Sequence, residues 1–157
     1  RIYICKKESI INIKKNVSNI IKKELLGKLD RISTFNNFAK KVQNNKTNII
    51  KFLKNCKKNS KTVVGYGAAA KGNTLLNYCG INSNLMSHIF DVSPYKQQML
   101  MPGSKIPIWH PNEIGNIKPK YIVLLPWNLK TELIRKLSKH KKNGSKFVIM
   151  IPKLEII

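Results

Sequence analysis

Thr62-Val63-Val64-Gly65-Tyr66-Gly67-Ala68-Ala69-Ala70-Lys71-Gly72-Asn73-Thr74 is the stretch that decides the fold of this chain. A β-branched run enters a glycine turn, and Thr74-Leu75-Leu76-Asn77-Tyr78-Cys79 leaves it with helical character, which predicts strand, turn and helix in succession. Gly65 and Gly67 let the backbone turn tightly and approach a ligand without a Cβ clash. The free N–H groups at the start of the next helix then face an anion over the turn. Gly65, Gly67 and Ala70 also fit the small-residue spacing of a dinucleotide fingerprint. A Walker A loop is excluded, because the glycine after Lys71 is followed by Asn73 rather than by Lys and a hydroxyl residue. A nicotinamide-binding site stays open. Its acidic ribose ligand is expected about 20 residues beyond the turn, and Asp91 ends the next apolar run, Ser87-His88-Ile89-Phe90-Asp91. Glycines that merely make a tight βα turn are the structural alternative, but Lys71, Asn73 and Thr74 add polar groups that a turn does not need.

A chain of 157 residues is one domain's worth with some excess, and 42% hydrophobic residues suffice for a real core. The formal net charge of +23 invites a nucleic-acid role. Against it, 27 lysines accompany only three arginines, Arg1, Arg31 and Arg135, whereas specific readers of phosphate and bases lean on the bidentate Arg fork. The lysines are spread along the chain among many Asn and Ile, as a proteome-wide compositional bias would leave them. No specific nucleic-acid partner is expected. Cys5, Cys56 and Cys79 are odd in number and far apart, with no CxxC pair, so no zinc site or disulfide framework is indicated and small buried hydrophobes are expected. The longest apolar stretch, Tyr121 to Trp127, falls far short of the ~20 residues of a membrane span. With no targeting motif visible, a soluble protein of the reducing cytoplasm is expected. Arg1-Ile2-Tyr3-Ile4-Cys5 reads as a strand with nothing before it to pair with, so the chain is expected to be a truncated piece.

Two grammars divide the chain at residue 61. In residues 1–60, Ile10, Ile13, Val17, Ile20, Ile21 and Leu25 recur at helical spacing and Gly27 is the stop. A second helix is expected from about Ser33, with Phe35, Phe38, Val42, Ile49, Phe52, Leu53 and Cys56 as an apolar stripe belonging to a core. Residues 61–157 alternate expected strands at Thr62–Tyr66, Ser87–Val92, Tyr121–Leu125 and Lys146–Ile151 with expected helices at Gly72–Cys79, Pro111–Ile117 and Leu129–Lys142. Asn128 is expected to cap the last of these and Gly144 to close it, and His110 to cap the helix after Pro111. Strands apolar throughout, separated by helices, predict an α/β, Rossmann-like, mostly parallel sheet covered on both faces, preceded by a helical hairpin. Ligands on such sheets bind at the carboxyl ends of the strands. That edge gathers Gly65–Thr74, Asp91–Gln97 and Pro126–Asn128.

Further letters narrow the class: Asp91-Val92-Ser93-Pro94-Tyr95-Lys96-Gln97, then Pro102-Gly103-Ser104-Lys105-Ile106-Pro107-Ile108, then Leu125-Pro126-Trp127-Asn128. In this order and spacing after the glycine turn, they resemble the C-terminal domain of S-adenosylmethionine-dependent sugar C-methyltransferases, which methylate carbon 3 of nucleotide-linked 4-keto-deoxysugars. The resemblance is strong over 61–157 and looser over 1–60, where the opening strand is similar to the end of the methyl-donor domain and the helices to its connector. It implies a nucleotide-sugar ligand, dTDP-linked or similar, and a separate N-terminal methyl-donor domain as partner. It also implies S-adenosylmethionine as a cofactor of the whole enzyme and not of this part. The implied chemistry removes the carbon-3 proton beside the keto group, after which the enolate attacks the donor methyl. The base, the donor-binding glycines and the family's zinc cysteines have no counterpart here, so no catalytic residue or metal ligand is assigned and this part alone is expected to be inactive.

On these expectations the amides from Gly67 to Gly72, across Ala68 and Ala69, neutralise a diphosphate together with Lys71. Asn73 and Thr74 bond phosphate or sugar oxygens, Tyr66 and Tyr95 meet the base or sugar, and Lys96 adds charge. Gly65, Asp91, Trp127 and Asn128 complete the candidate site. The structural alternatives are a surface role for Lys71, loop packing for Tyr95 and Trp127, and a loop brace for Asp91. Two other functions stand beside this one. A nicotinamide-dependent oxidoreductase domain is weakened by Lys71 in the turn and by the lack of a catalytic Tyr-Lys or His-carboxylate group. A basic nucleic-acid-binding module would rest on surface charge alone.

Overall fold

The computed structural model describes residues 3–157, and the chain falls into two compact units, Arg1–Val42 and Gln43–Ile157. In the first, α1 (Lys15–Leu26) has no buried residue and stops at Gly27, whose amide bonds to the carbonyl of Lys23 at 2.9 Å. The hydrophobic repeat begins before the helix does, because the backbone is still extended at Lys14 and leaves Ile10 and Ile13 exposed ahead of it. Tyr3–Cys5, expected as part of a strand, have no ladder partner among the described residues and form none. Arg1 and Ile2 lie outside the described residues.

The second helix, α2 (Ile32–Lys58), spans 27 residues. Its stripe is only partly core: Ile49, Leu53 and Cys56 are buried, while Phe35 and Phe38, expected in the core, are 51% and 65% exposed. The buried residues of the stripe belong to the unit Gln43–Ile157 and the two exposed phenylalanines to the unit Arg1–Val42. The residues of α2 from Gln43 onward belong to the α/β unit, although they precede the change of grammar at residue 61.

Within that unit a six-stranded sheet has the order β3-β2-β1-β4-β5-β6. The strands are β1 (Val63–Tyr66), β2 (Ile89–Phe90), β3 (Ile108–Trp109), β4 (Tyr121–Leu124), β5 (Lys146–Ile149) and β6 (Glu155–Ile156), all parallel except the last pairing. This is the doubly wound order, with its reversal between β1 and β4. The strands β3 and β6 escaped the sequence because, unlike the equally short β2 inside the run Ser87–Asp91, they are broken up by proline or charged neighbours, Pro107 before β3 and Glu155 within β6.

Side chains alternate across the sheet. Val63, Ile89, Val123 and Val148 join Ile49, Leu53 and Cys56 of α2 and Leu76 and Cys79 of α3 (Ala70–Cys79) in one core layer. Val64, Tyr66, Phe90, Ile122, Leu124, Phe147 and Ile149 form the other with Ile114 of α4 (Ile114–Ile117) and Leu133 of α5 (Lys130–Lys136). Both faces are dry, as continuous apolar strands require. Asn45 ties α2 to the chain end: its Nδ2 donates to the Met150 carbonyl at 2.7 Å and its Oδ1 accepts from the Leu154 amide at 3.1 Å. The helix expected over Leu129–Lys142 breaks at Leu137, whose ψ of 11° leaves the helical range, so α5 and α6 (Ser138–Lys142) are separate. Leu137 is buried, and burying it at the end of one helix sets the turn into the next. Gly144 closes α6 region at φ +91° as expected.

Gly72 is where packing leaves no tolerance. A Cβ there would lie 2.8 Å from the Leu125 Cβ, whereas one at Gly115 meets open space. Gly72→Ala is expected to destabilise by about 1–3 kcal/mol, and Gly115→Ala to stabilise by about 0.5–1 kcal/mol, both read as urea midpoints. Titration adds a second test. His88 packs against Trp109 as a tilted pair with ring centroids 3.9 Å apart, its Nδ1 is buried with no partner among the described residues, and burial pushes its pKa down. A lowered folded pKa favours neutral imidazole, so this contribution is intact above the unfolded value of about 6.5 and is lost as pH falls below it. The urea midpoint should drop on acidification through that range. The drop should shrink in His88→Phe, which keeps a ring on Trp109 without a titrating nitrogen.

Candidate functional site

The carboxyl ends of β1, β2 and β4 bring the three expected loops together. Gly67 sits at φ +85°, and a Cβ there would lie 2.5 Å from the Pro126 Cγ, so the first loop lies directly on the third. Gly65 faces the α2 and α3 layer, where a Cβ would press on the Ile89 side chain at 2.8 Å. Thus each glycine serves a close approach: Gly65 to β2, Gly67 to Pro126 and Gly72 to Leu125.

The amides divide into two groups. Gly67 N–H donates to the Phe90 carbonyl at 2.7 Å, Ala69 N–H to the Gly67 carbonyl at 2.8 Å, and Ala68 N–H to Asp91 Oδ2 at 2.6 Å. The expectation that all amides from Gly67 to Gly72 face a ligand is therefore corrected: the first three are engaged within the protein. Helix α3 starts after Ala69, whose carbonyl takes its first bond from Asn73 N–H at 2.9 Å. That leaves the amides of Ala70, Lys71 and Gly72 as the unpaired first turn. No side chain caps it and no acidic residue lies in it.

Asp91 is a brace. It is 7% exposed, with Oδ2 accepting from Ala68 N–H and Oδ1 accepting from Ser93 N–H at 2.8 Å. Lys96 Nζ donates to the Ala68 carbonyl at 2.9 Å and lies 3.5 Å from Asp91 Oδ2. Gln97 Nε2 reaches the Asp91 carbonyl at 3.0 Å. Lys96, expected to add charge for a ligand, thus holds the two loops together.

On the other side of the turn, Lys71 Nζ lies 5.2 Å from the centre of the half-buried Trp127 ring and 3.4 Å from Asn128 Oδ1. Asn128, expected as a helix cap, makes no capping bond; Pro126 precedes the short 3₁₀ turn Trp127–Leu129 instead. Asn73 accepts from Asn77 Nδ2, and the Thr74 hydroxyl donates back to the Ala70 carbonyl at 3.2 Å. Tyr66, expected at the base or sugar, is instead buried in the α4 and α5 layer, its hydroxyl with no partner among the described residues; strand alternation sends it there. Tyr95 is 89% exposed. His110 caps the turn at Pro111–Glu113 through its Nδ1, which accepts from Asn112 N–H at 3.2 Å.

Asn77 had no assigned role in the sequence. Its Nδ2 donates to the Pro102 carbonyl at 3.0 Å, seating the hairpin closed by Met101 N–H on the Ile106 carbonyl at 2.9 Å. A Cβ on Gly103 would run into the Asn77 amide, which explains glycine in that loop. The signal was the polar pair Asn73 and Asn77, one helical turn apart.

A family profile and one relative agree with these motifs. The profile of the family described as C-methyltransferase C-terminal domain matches residues 1–152. C-methyltransferase NovU of Streptomyces niveus is 33% identical over 123 residues, covering 78% of this chain and 29% of that protein. The chain therefore spans under a third of that relative's length. Among solved structures, UDP-D-quinovosamine 4-dehydrogenase from Vibrio fischeri is 18% identical, covering 62% of this chain and 93% of that one, with a TM-score of 0.47.

The loop contact can be separated from backbone strain. Gly67 and Gly80 both have positive φ, but a Cβ on Gly80 meets nothing within 4 Å. Gly80→Ala is expected to cost about 1–2 kcal/mol of strain alone, and Gly67→Ala to cost more by the clash with Pro126, as the difference between two urea midpoints.

Proposed function

Because the chain belongs to the C-methyltransferase C-terminal domain family, we propose that it is the nucleotide-sugar-holding end of an S-adenosylmethionine-dependent C-methyltransferase acting on an NDP-4-keto-deoxysugar. The observation that supports this most is the unpaired first turn of α3, with its free amides at Ala70–Gly72 and Lys71 beside Trp127 and Asn128. Such a turn favours a diphosphate, through N–H groups aimed at the anion, the helix dipole and one cation. Lys71 supplies the charge, the Trp127 indole offers an apolar wall for a base or sugar, and the Asn128 amide offers a hydrogen-bonding group to the hexose. On this reading Tyr95, exposed on the second loop, meets the base or sugar of the same ligand.

S-adenosylmethionine supplies the methyl group to the full enzyme. The residues here do not fit that donor: the carboxylate that would take the hydroxyls of an adenosine ribose, Asp91, is engaged by Ala68 and Ser93. The same observation counts against the nicotinamide alternative. The proton-abstracting base and the donor site belong to the rest of the enzyme on this proposal. No helix among the described residues is long and apolar enough to cross a membrane.

Calorimetric titration with dTDP, UDP, NAD and S-adenosylmethionine at moderate salt tests this. Saturable binding of dTDP or UDP alone is expected, weakened about tenfold in Lys71→Ala by loss of one charge-assisted contact. Binding of NAD would replace the proposal with the oxidoreductase. Binding to any polyanion, collapsing steeply as salt rises, would mark surface charge as its only cause.

A further inference from the structure

The position that holds an acidic ribose ligand in dinucleotide-binding turns is filled here by a carboxylate that cannot do that work. Both Asp91 oxygens accept backbone amides, from Ala68 at 2.6 Å and Ser93 at 2.8 Å. Lys96 covers Oδ2 from the side while its ammonium also holds the Ala68 carbonyl. Hence the peptide at Ala68 is gripped at its N–H by Asp91 and at its C=O by Lys96. A charged acceptor bonded twice to the backbone and 7% exposed would have to give up a charge-assisted bond in a partly dry setting before it could take a ribose hydroxyl.

We infer that Asp91 is a positioning residue and not a ribose ligand, and that the site therefore takes ribo- and 2′-deoxyribonucleoside diphosphates with equal affinity. This rests on the diphosphate site proposed above. Asp91 and Lys96 fix the Ala68 peptide. That peptide sets where α3 begins, and so where the free amides of Ala70–Gly72 point. Nucleotides are then distinguished by diphosphate and base, and the ribose 2′-hydroxyl is not read by this carboxylate. Loss of the brace weakens every diphosphate by the same factor, because it disturbs the amides that all of them share.

UDP and 2′-deoxy-UDP serve as the probes, titrated into the wild-type chain, Asp91→Asn and Lys96→Met, with amide hydrogen exchange of Ala68 followed by NMR in the same proteins without ligand. A Kd ratio between the two nucleotides within about twofold is expected in all three. Both affinities should fall about tenfold or more in Asp91→Asn, the scale of one charge-assisted bond, and by less in Lys96→Met. The Ala68 amide should be among the slow exchangers in the wild type and fast in Asp91→Asn. A wild-type preference of tenfold or more for UDP that vanishes in Asp91→Asn would show direct ribose contact and overturn the inference. If Asp91→Asn does not fold, the wild-type ratio and Lys96→Met decide alone. Failure of both nucleotides to bind the wild type overturns the diphosphate site and the ribose indifference with it. An Ala68 amide that exchanges quickly in the wild type overturns the brace by itself.

Discussion

The approach of bare backbone to the Leu125–Pro126 corner governs this domain. Without side chains at Gly67 and Gly72, the turn leaving β1 lies on Pro126 and the first turn of α3 lies on Leu125. Gly65 does the same for β2 on the other flank. These contacts fix α3 against β4, and so place its free amides at the sheet's point of reversal, where doubly wound folds gather their ligands. A methyl group at Gly67 would have to move the Pro126 ring and one at Gly72 the Leu125 Cβ, whereas at Gly65 the Ile89 and Met86 side chains would have to shift, since close-packed interiors have little slack.

Electrostatics then refine what packing has placed. The chain is strongly basic, yet one buried carboxylate, Asp91, organises the loops at the site. It holds one backbone amide on each of two loops and is approached by Lys96. Most of the lysines lie on the surface, where charge governs solubility and loose polyanion attraction rather than fold.

The long elements were legible because their periods are long. α2, α3 and the strands β1, β4 and β5 carry enough residues for helical spacing or continuous apolar character to show. The short β2 showed through the apolar run around it, whereas β3 and β6 lie beside Pro107 and around Glu155 and gave no such run. Phe35 and Phe38 illustrate the converse. They continue the stripe of Ile49 and Leu53 in sequence, yet stand exposed, because periodicity states which residues share a face and not whether another element covers it.

For the site, the letters alone determined the glycine turn, the three loops that meet at one sheet edge and the choice of candidate polar groups, because spacing and residue type set backbone freedom and chemistry locally. Tertiary structure decided which of those groups are free. Strand alternation buried Tyr66, the Asp91 carboxylate took the Ala68 amide, Lys96 became a tie between loops, and Lys71 came to rest beside Trp127 and Asn128. Those outcomes depend on partners more than twenty residues away in the chain, and a hydrogen bond once made inside the protein is no longer available to a ligand.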